Sequence, residues 1–226
     1  MLQLVTGNKN YSSWSMRPWV LMRHFGIAFE EIKLRFDFAP GSAFYRELAS
    51  YTPAGKVPVL LVDGFAVWDT LAIAETLADL HPALALWPRD SRQRARARSL
   101  AAEMHAGFAA LREHCPMNIE ISMPEVGARV LAAEPAVRRD LDRIDAMWSE
   151  ALAASGGPFL FGEFSAVDAY YSPVAMRMRS YALPVSAMAQ AYVERLWASP
   201  GVAAWVADAL AERDFVVEDE PYRTSR

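Results

Sequence analysis

Residues 55–80 read GKVPVLLVDGFAVWDTLAIAETLADL. An apolar run, Val57 to Val62, ends at Asp63-Gly64, and a second short run, Phe65 to Trp68, follows. An Asp-Gly pair between two apolar runs is a hairpin signal, because glycine reaches the positive φ that tight hairpin turns demand. Pro58 belongs at a strand start, since proline cannot donate to a central ladder. Asp69-Thr70 then stands where a helix cap is expected, and Leu71, Ile73, Ala74, Leu77 and Leu80 recur on one helical face. Strand, strand, helix is therefore the reading of this stretch.

Working back toward the start, Leu2 to Thr6 is a short strand, and a polar loop from Gly7 to Tyr11 follows. Ser12 and Ser13 precede Met16, Trp19, Val20, Leu21 and Phe25, which recur at helical spacing, and Gly26 ends the helix. Phe29, Ile32, Leu34 and Phe36 sit near alternating positions and predict a second strand with a register change near Glu30 and Glu31. Ser42 to Ser50 predicts a short helix. The order β-α-β-α-β-β-α gives a mixed four-stranded sheet with helices on its faces.

Beyond residue 80 the composition changes. Residues 81–90 carry Pro82 and Pro88 and read as a linker. Arg92 to Cys115 is rich in helix formers and reads as one long helix. Prolines punctuate later helices at 125–133, 136–154, 166–180, 185–198 and 201–212, and the polar tail 217–226 is expected to run over the surface. The expected organisation is an α/β domain at 1–80, a linker at 81–90 and an all-α domain at 91–226.

The 226 residues carry 23 Lys and Arg against 27 Asp and Glu, a net charge of −4. That balance offers no basic patch for nucleic acid or anionic lipid. A single cysteine, Cys115, excludes an internal disulfide and a cysteine-rich metal site. No His/Asp/Glu cluster has metal-ligand spacing, so no metal is expected. No stretch approaches the ~18 apolar residues of a membrane span, and the N-terminus lacks signal-peptide features, so a cytoplasmic location is expected.

Three segments carry the chemistry: NYSSWSMRPW at 10–19, GKVPVL at 55–60 and WDTLAIAETL at 68–77. At Asp69-Thr70, a helix N-terminus has free N–H groups for a carboxylate, and Asp69 has a charge for an ammonium. An α-amino acid end group presents both. A cis Val57-Pro58 bond would turn the Val57 N–H and C=O outward to pair with a peptide backbone. At Ser12-Ser13, a hydroxyl and the helix dipole can hold a thiolate. Lowering a thiol pKa by ~2 units needs ~2.7 kcal/mol. A hydrogen bond to a charged group supplies ~1.5–3 kcal/mol and the dipole ~0.3–2 kcal/mol. Taken singly, each segment also reads as ordinary structure: two caps and a strand-edge proline.

Their order and spacing carry more. YSSWSMRPWVLMRHFGI resembles the opening of zeta-class members of the soluble glutathione S-transferase superfamily, where a Ser-Ser-Cys-Ser run begins the first helix. LALWPRDSRQRAR and FGEFSAVDAYYSPV, in the second half, resemble the family's passage into its helical domain and its buried helix-capping segment, here Ser165 and Asp168. The resemblance implies a thioredoxin-like glutathione-binding domain, an all-helical domain and a homodimer. It implies conjugation of the glutathione thiolate, a co-substrate, to a small hydrophobic electrophile. Ser12 falls on the family's catalytic serine and Ser13 beside it. Lys56, Val57 and Pro58 fall on glutathione-contacting positions, and Asp69 and Thr70 on the pair that holds the γ-glutamyl end. Trp14 stands where the zeta class has cysteine. A glutathione-dependent cis–trans isomerase and a non-catalytic binding module are the alternatives.

Tyr11 is the rival thiol activator, although it lies late relative to the first strand. The electrophile pocket is expected between the domains, bordered by Tyr11, Trp14, Met104, Phe108 and Arg112. Arg17, one turn beyond Ser13, is a candidate to reinforce the positive field at the site, with a salt bridge or solvated charge as the favoured reading. Arg177 and Arg179 are candidates to meet an anionic substrate.

Overall fold

The computed structural model describes residues 1–226. The first half runs β1 (Leu2–Thr6), α1 (Ser13–His24), β2 (Glu30–Lys33), α2 (Ala43–Tyr51), β3 (Val59–Val62), β4 (Phe65–Trp68) and α3 (Thr70–Leu80). The sheet order is β2-β1-β3-β4. β1 lies parallel to β2 and antiparallel to β3, with Leu4 opposite Leu60, and β3 pairs antiparallel with β4. This is the mixed thioredoxin-like sheet that the element order predicts.

No helix or strand falls in residues 81–90, yet the segment is tied down. Leu86 and Trp87 are buried, and the Ala166 N–H donates to the Leu86 carbonyl. Seven helices follow: α4 (Ser91–Ala106), α5 (Ala109–His114), α6 (Pro124–Ala133), α7 (Pro135–Ser155), α8 (Ala166–Ser180), α9 (Ala187–Ala198) and α10 (Pro200–Glu212).

Three local expectations need correction. Arg92–Cys115 is not one helix: Gly107 is extended and Phe108 adopts a left-handed conformation with φ 55°, so the chain breaks between α4 and α5. The second strand keeps only residues 30–33: the Leu34 N–H makes a last bond to the Thr6 carbonyl, and the Phe36 N–H turns to the Asn8 side chain, with both side chains in the smaller core. The tail does not simply lie on the surface. Val216 is buried beside Tyr11 and Phe36, and Glu220 is buried, accepting from the Tyr11 hydroxyl and the Asn118 amide.

One large core joins the two halves. It runs from Leu4, Trp19 and Ile73 through Trp148 and Tyr171 to Trp205. Helix α1 is buried against α8 and α10. Gly201 permits the close approach of α10, because a Cβ there would sit 2.6 Å from the Val20 carbonyl oxygen. The Trp19 and Trp205 rings meet edge to face at 5.3 Å. A smaller core of Val5, Leu34, Phe44, Leu48 and Val59 lies under α2 on the other sheet face.

The Asp168 side chain, wholly buried at the start of α8, accepts from the Ser165 N–H (2.9 Å), the Ser165 hydroxyl (3.1 Å), the Leu160 N–H (3.2 Å) and the Tyr192 hydroxyl (2.7 Å). Removing it strands four buried donors. Asp168→Ala is expected to destabilise the protein by about 3 kcal/mol or more. Urea unfolding checks this, and a loss within about 0.5 kcal/mol would show that the network is dispensable.

Candidate functional site

The N-terminus of α1 opens onto a cavity of about 990 Å³ between the halves. Ser12 caps the helix, but its hydroxyl makes no capping bond. It donates instead to the Ser15 Oγ at 2.8 Å, which also accepts from the Gly7 N–H at 3.2 Å. The Ser13 hydroxyl has no hydrogen-bond partner in the chain. The N–H groups of Trp14 and Ser15 also lack an acceptor. Orphan N–H groups and the positive end of the helix dipole thus face the cavity.

The other two segments converge on the same space. Val57-Pro58 is cis, and neither the N–H nor the carbonyl of Val57 has a backbone partner. Asp69, at φ 73°, accepts from the Leu71 N–H at 2.9 Å and lies 3.3 Å from the His105 Nε2. Thr70 is buried, and its Oγ1 accepts from the Tyr170 hydroxyl at 2.9 Å, leaving its own hydroxyl proton uncommitted. Lys56 sits exposed at the rim. Ser12, Ser13, Lys56, Val57, Pro58, Asp69 and Thr70 therefore all line one cavity, although they come from three stretches of chain.

The second half of the cavity matches expectation in part. Tyr11, Trp14 and Arg112 line it. Met104 and Phe108 do not. Met104 is fully buried in the large core on the inward face of α4, and the left-handed turn at Phe108 directs its ring into the same core. The Tyr11 hydroxyl is spent on Glu220, at 2.7 Å, and burial with that bond pushes its pKa up to about 12. Tyr11 thus anchors the tail, a role that a sequence reading focused on thiol activation misses.

Of the two arginine candidates only Arg177 reaches the cavity, and several other lining residues escape sequence reasoning. Arg177 is buried in the cavity wall, its Nε donating to the Cys115 carbonyl at 2.9 Å, whereas Arg179 pairs with Glu194 outside. Burial and the charge of Arg112 lower the Arg177 pKa to about 10. Phe36 and Phe38 from the β2–α2 connection and Phe44 from the first turn of α2 supply an apolar wall. Only Phe36 belonged to the alternation visible in the sequence. Asp219 arrives from the tail, where no pattern marked it. Its Oδ2 is buried without a partner. Arg112, Arg177 and Lys56 place three positive charges in the lining, and Asp69, Glu113 and Asp219 supply three carboxyl groups. No group of three or more His, Cys, Asp or Glu side chains is arranged to hold a metal ion, and no helix is long and apolar enough to cross a membrane.

Fold and cavity define a thioredoxin-like domain whose helix-terminal site is completed by a helical second domain. The chain matches the glutathione S-transferase N-terminal domain over residues 11–80 and the glutathione S-transferase C-terminal domain over residues 125–208, and so belongs to the glutathione S-transferase family. It is 30% identical over 96 residues to a probable maleylacetoacetate isomerase from Caenorhabditis elegans. That alignment takes in 42% of this chain and 42% of the relative, so the chain spans under half the length of the curated relative it matches. A glutathione transferase from Methylococcus capsulatus strain Bath superposes with a TM-score of 0.67 at 25% identity, over 93% of this chain and 100% of that one. A glutathione transferase homolog from Burkholderia BGR1, solved with bound glutathione, shares the fold with a TM-score of 0.69 at 24% identity, over 93% and 98% of the two chains.

Burial, then the neighbouring charges of Glu218 and Glu220, push the Asp219 carboxyl up to about 6. Its folded value lies above that of an unfolded aspartate. The stability it contributes is therefore full below about pH 4 and is lost as pH rises through about 6. Asp219→Asn removes that loss. The variant is expected to melt about 2–4 °C above the native protein at pH 7.5, with the gap closing by pH 4, in thermal scans across pH.

Proposed function

We propose that the protein binds glutathione in this cavity, ionises its thiol at the start of α1 and transfers the thiolate to a small electrophile. The observation that carries this reading is the convergence of three separate segments on one space. Each presents an unspent polar group: the Ser13 hydroxyl, the Val57 backbone pair, and the Thr70 hydroxyl beside Asp69.

In the proposed pose, the γ-glutamyl carboxylate meets the N-terminus of α3 at Thr70, and its ammonium meets Asp69. The cysteinyl backbone pairs with Val57 as an added strand would. Lys56 balances the glycine carboxylate. The sulfur then lies against the first turn of α1. Ser12 gives up Ser15 and donates to the sulfur, with Ser13 as the second candidate. Holding both reactants in one cavity supplies the remaining acceleration by placement.

The electrophile half is apolar along Phe36, Phe38 and Phe44 and cationic at Arg112 and Arg177. The paired cations favour a second reading, in which the same thiolate adds reversibly to an unsaturated keto acid and leaves after isomerising it. The printed name of the Caenorhabditis elegans relative agrees with that reading. The edge strand β4 exposes Phe65 (73%), which suits burial against a second copy in a homodimer.

Titrating bound thiolate by ultraviolet absorbance tests the proposal. The native protein is expected to hold the bound thiol at least ~1 unit below its free pKa. Ser12→Ala is expected to raise it by about 1 unit, with about tenfold slower turnover at pH 6.5 and little change in glutathione affinity. Retention of the native pKa in both Ser12→Ala and Ser13→Ala would remove the serines from the mechanism. Incubation with a cis-enone acid separates the readings: a glutathione adduct marks transfer, and the trans acid without adduct marks isomerisation.

A further inference from the structure

Arg17 contradicts its own sequence reading. It is neither solvated nor salt-bridged: it is 1% exposed, with no carboxylate within ion-pair distance. Its Nε and Nη1 are buried without any acceptor. The guanidinium lies between two aromatic rings, 4.0 Å from the Trp14 ring centroid and 4.8 Å from that of Tyr170. The hydroxyls of the neighbouring tyrosines are committed elsewhere, Tyr170 to Thr70 and Tyr171 to the Leu100 carbonyl. The charges nearby have the same sign. Burial, with repulsion from Arg177 and Arg112, lowers the Arg17 pKa to about 9.

A buried cation without a counter-charge is costly, and aromatic faces offset only part of that cost. Elsewhere the protein gives its buried cations acceptors. Lys9, also stacked on Trp19, pairs with Glu31 at 2.8 Å and Asp208 at 2.6 Å. Arg177 donates to two backbone carbonyls. Arg17 alone among these has nothing to donate to. It stands one helical turn after Ser13, a spacing that places the two on one face about 5–6 Å apart at Cβ. Trp14, stacked on it, forms the cavity wall and keeps water from screening its field.

We propose that Arg17 is a positioning residue for the thiolate: its unpaired guanidinium behind Trp14 drives ionisation of the glutathione sulfur, whose negative charge completes an ion pair that the free protein lacks. Only the S–H bond breaks, and its proton passes to solvent. The inference rests on glutathione occupying the cavity as proposed above.

The test uses the full chain with Arg17→Met, Arg17→Gln and Arg17→Lys, and two probes, glutathione and S-methylglutathione, which has no ionisable thiol. Both neutral variants are expected to bind S-methylglutathione as the native protein does. They should raise the pKa of bound glutathione by about 1 unit, cutting the thiolate fraction about tenfold at pH 6.5. Arg17→Lys should keep most of the native value. In the native protein, which needs no refolding of a variant, saturating glutathione should raise the melting midpoint more than equally saturating S-methylglutathione. Equal midpoint shifts, or an unchanged thiol pKa in the neutral variants, would overturn the role of Arg17 while leaving glutathione binding intact. Loss of S-methylglutathione binding in those variants would also overturn it, because Arg17 would then be holding a carboxylate. A native protein that binds neither probe would overturn the functional reading itself.

Discussion

The burial of α1 is the interaction on which the rest of the structure depends. Met16, Trp19, Val20, Leu21 and Met22 are all buried, with the sheet on one side and α8 and α10 on the other. Trp19 meets Trp205, and Gly201 lets α10 approach the α1 backbone. Because α1 is held by both halves, the position of its first turn is set by the whole molecule rather than by one domain. The cavity lies at that first turn, so the packing that stabilises the fold also fixes where Ser12, Ser13 and the orphan N–H groups point. A shift of α10 against α1 would move the site as directly as a change within it.

The same junction concentrates polar groups that a core normally excludes. Asp168 is surrounded by donors, Lys9 sits between two carboxylates, and Glu220 fastens the tail to Tyr11 and Asn118. These groups are satisfied within the chain and orient its elements, as buried polar networks do when every member has a partner. Arg17 and the cavity face of α1 are the contrast. There, donors and a charge remain unspent, which is the usual mark of a surface shaped for a ligand rather than for stability alone. Arg112 and Arg177, both lining the cavity, extend positive charge into its second half.

Much of this was legible in the chain. The Asp-Gly hairpin at 63–64, the apolar strand after Pro58, the serines opening α1 and the cap at Asp69 are all local signals, and each element formed close to its expected place. The three site segments could be named because each stands at an element boundary, where turn and cap chemistry restricts residue choice. Met104 and Phe108 were misassigned because helical spacing shows which residues share a face but not what that face meets. The break at Gly107 and Phe108 depended on a glycine in an otherwise strong helical run, a weak signal by itself.

The amino-acid sequence by itself determined the order of elements, the family resemblance and the residues at the mouth of the first helix, since these depend on periodicity, caps and turns acting over a few positions. Only the tertiary structure decided that Arg17 is buried unpaired, that Arg177 turns into the cavity while Arg179 turns away, and that the tail returns to claim Tyr11 and place Asp219 in the wall. Those outcomes depend on contacts between different elements, such as Tyr11 with Glu220 and Arg17 with Tyr170, and no short-range pattern encodes which surface a side chain will meet.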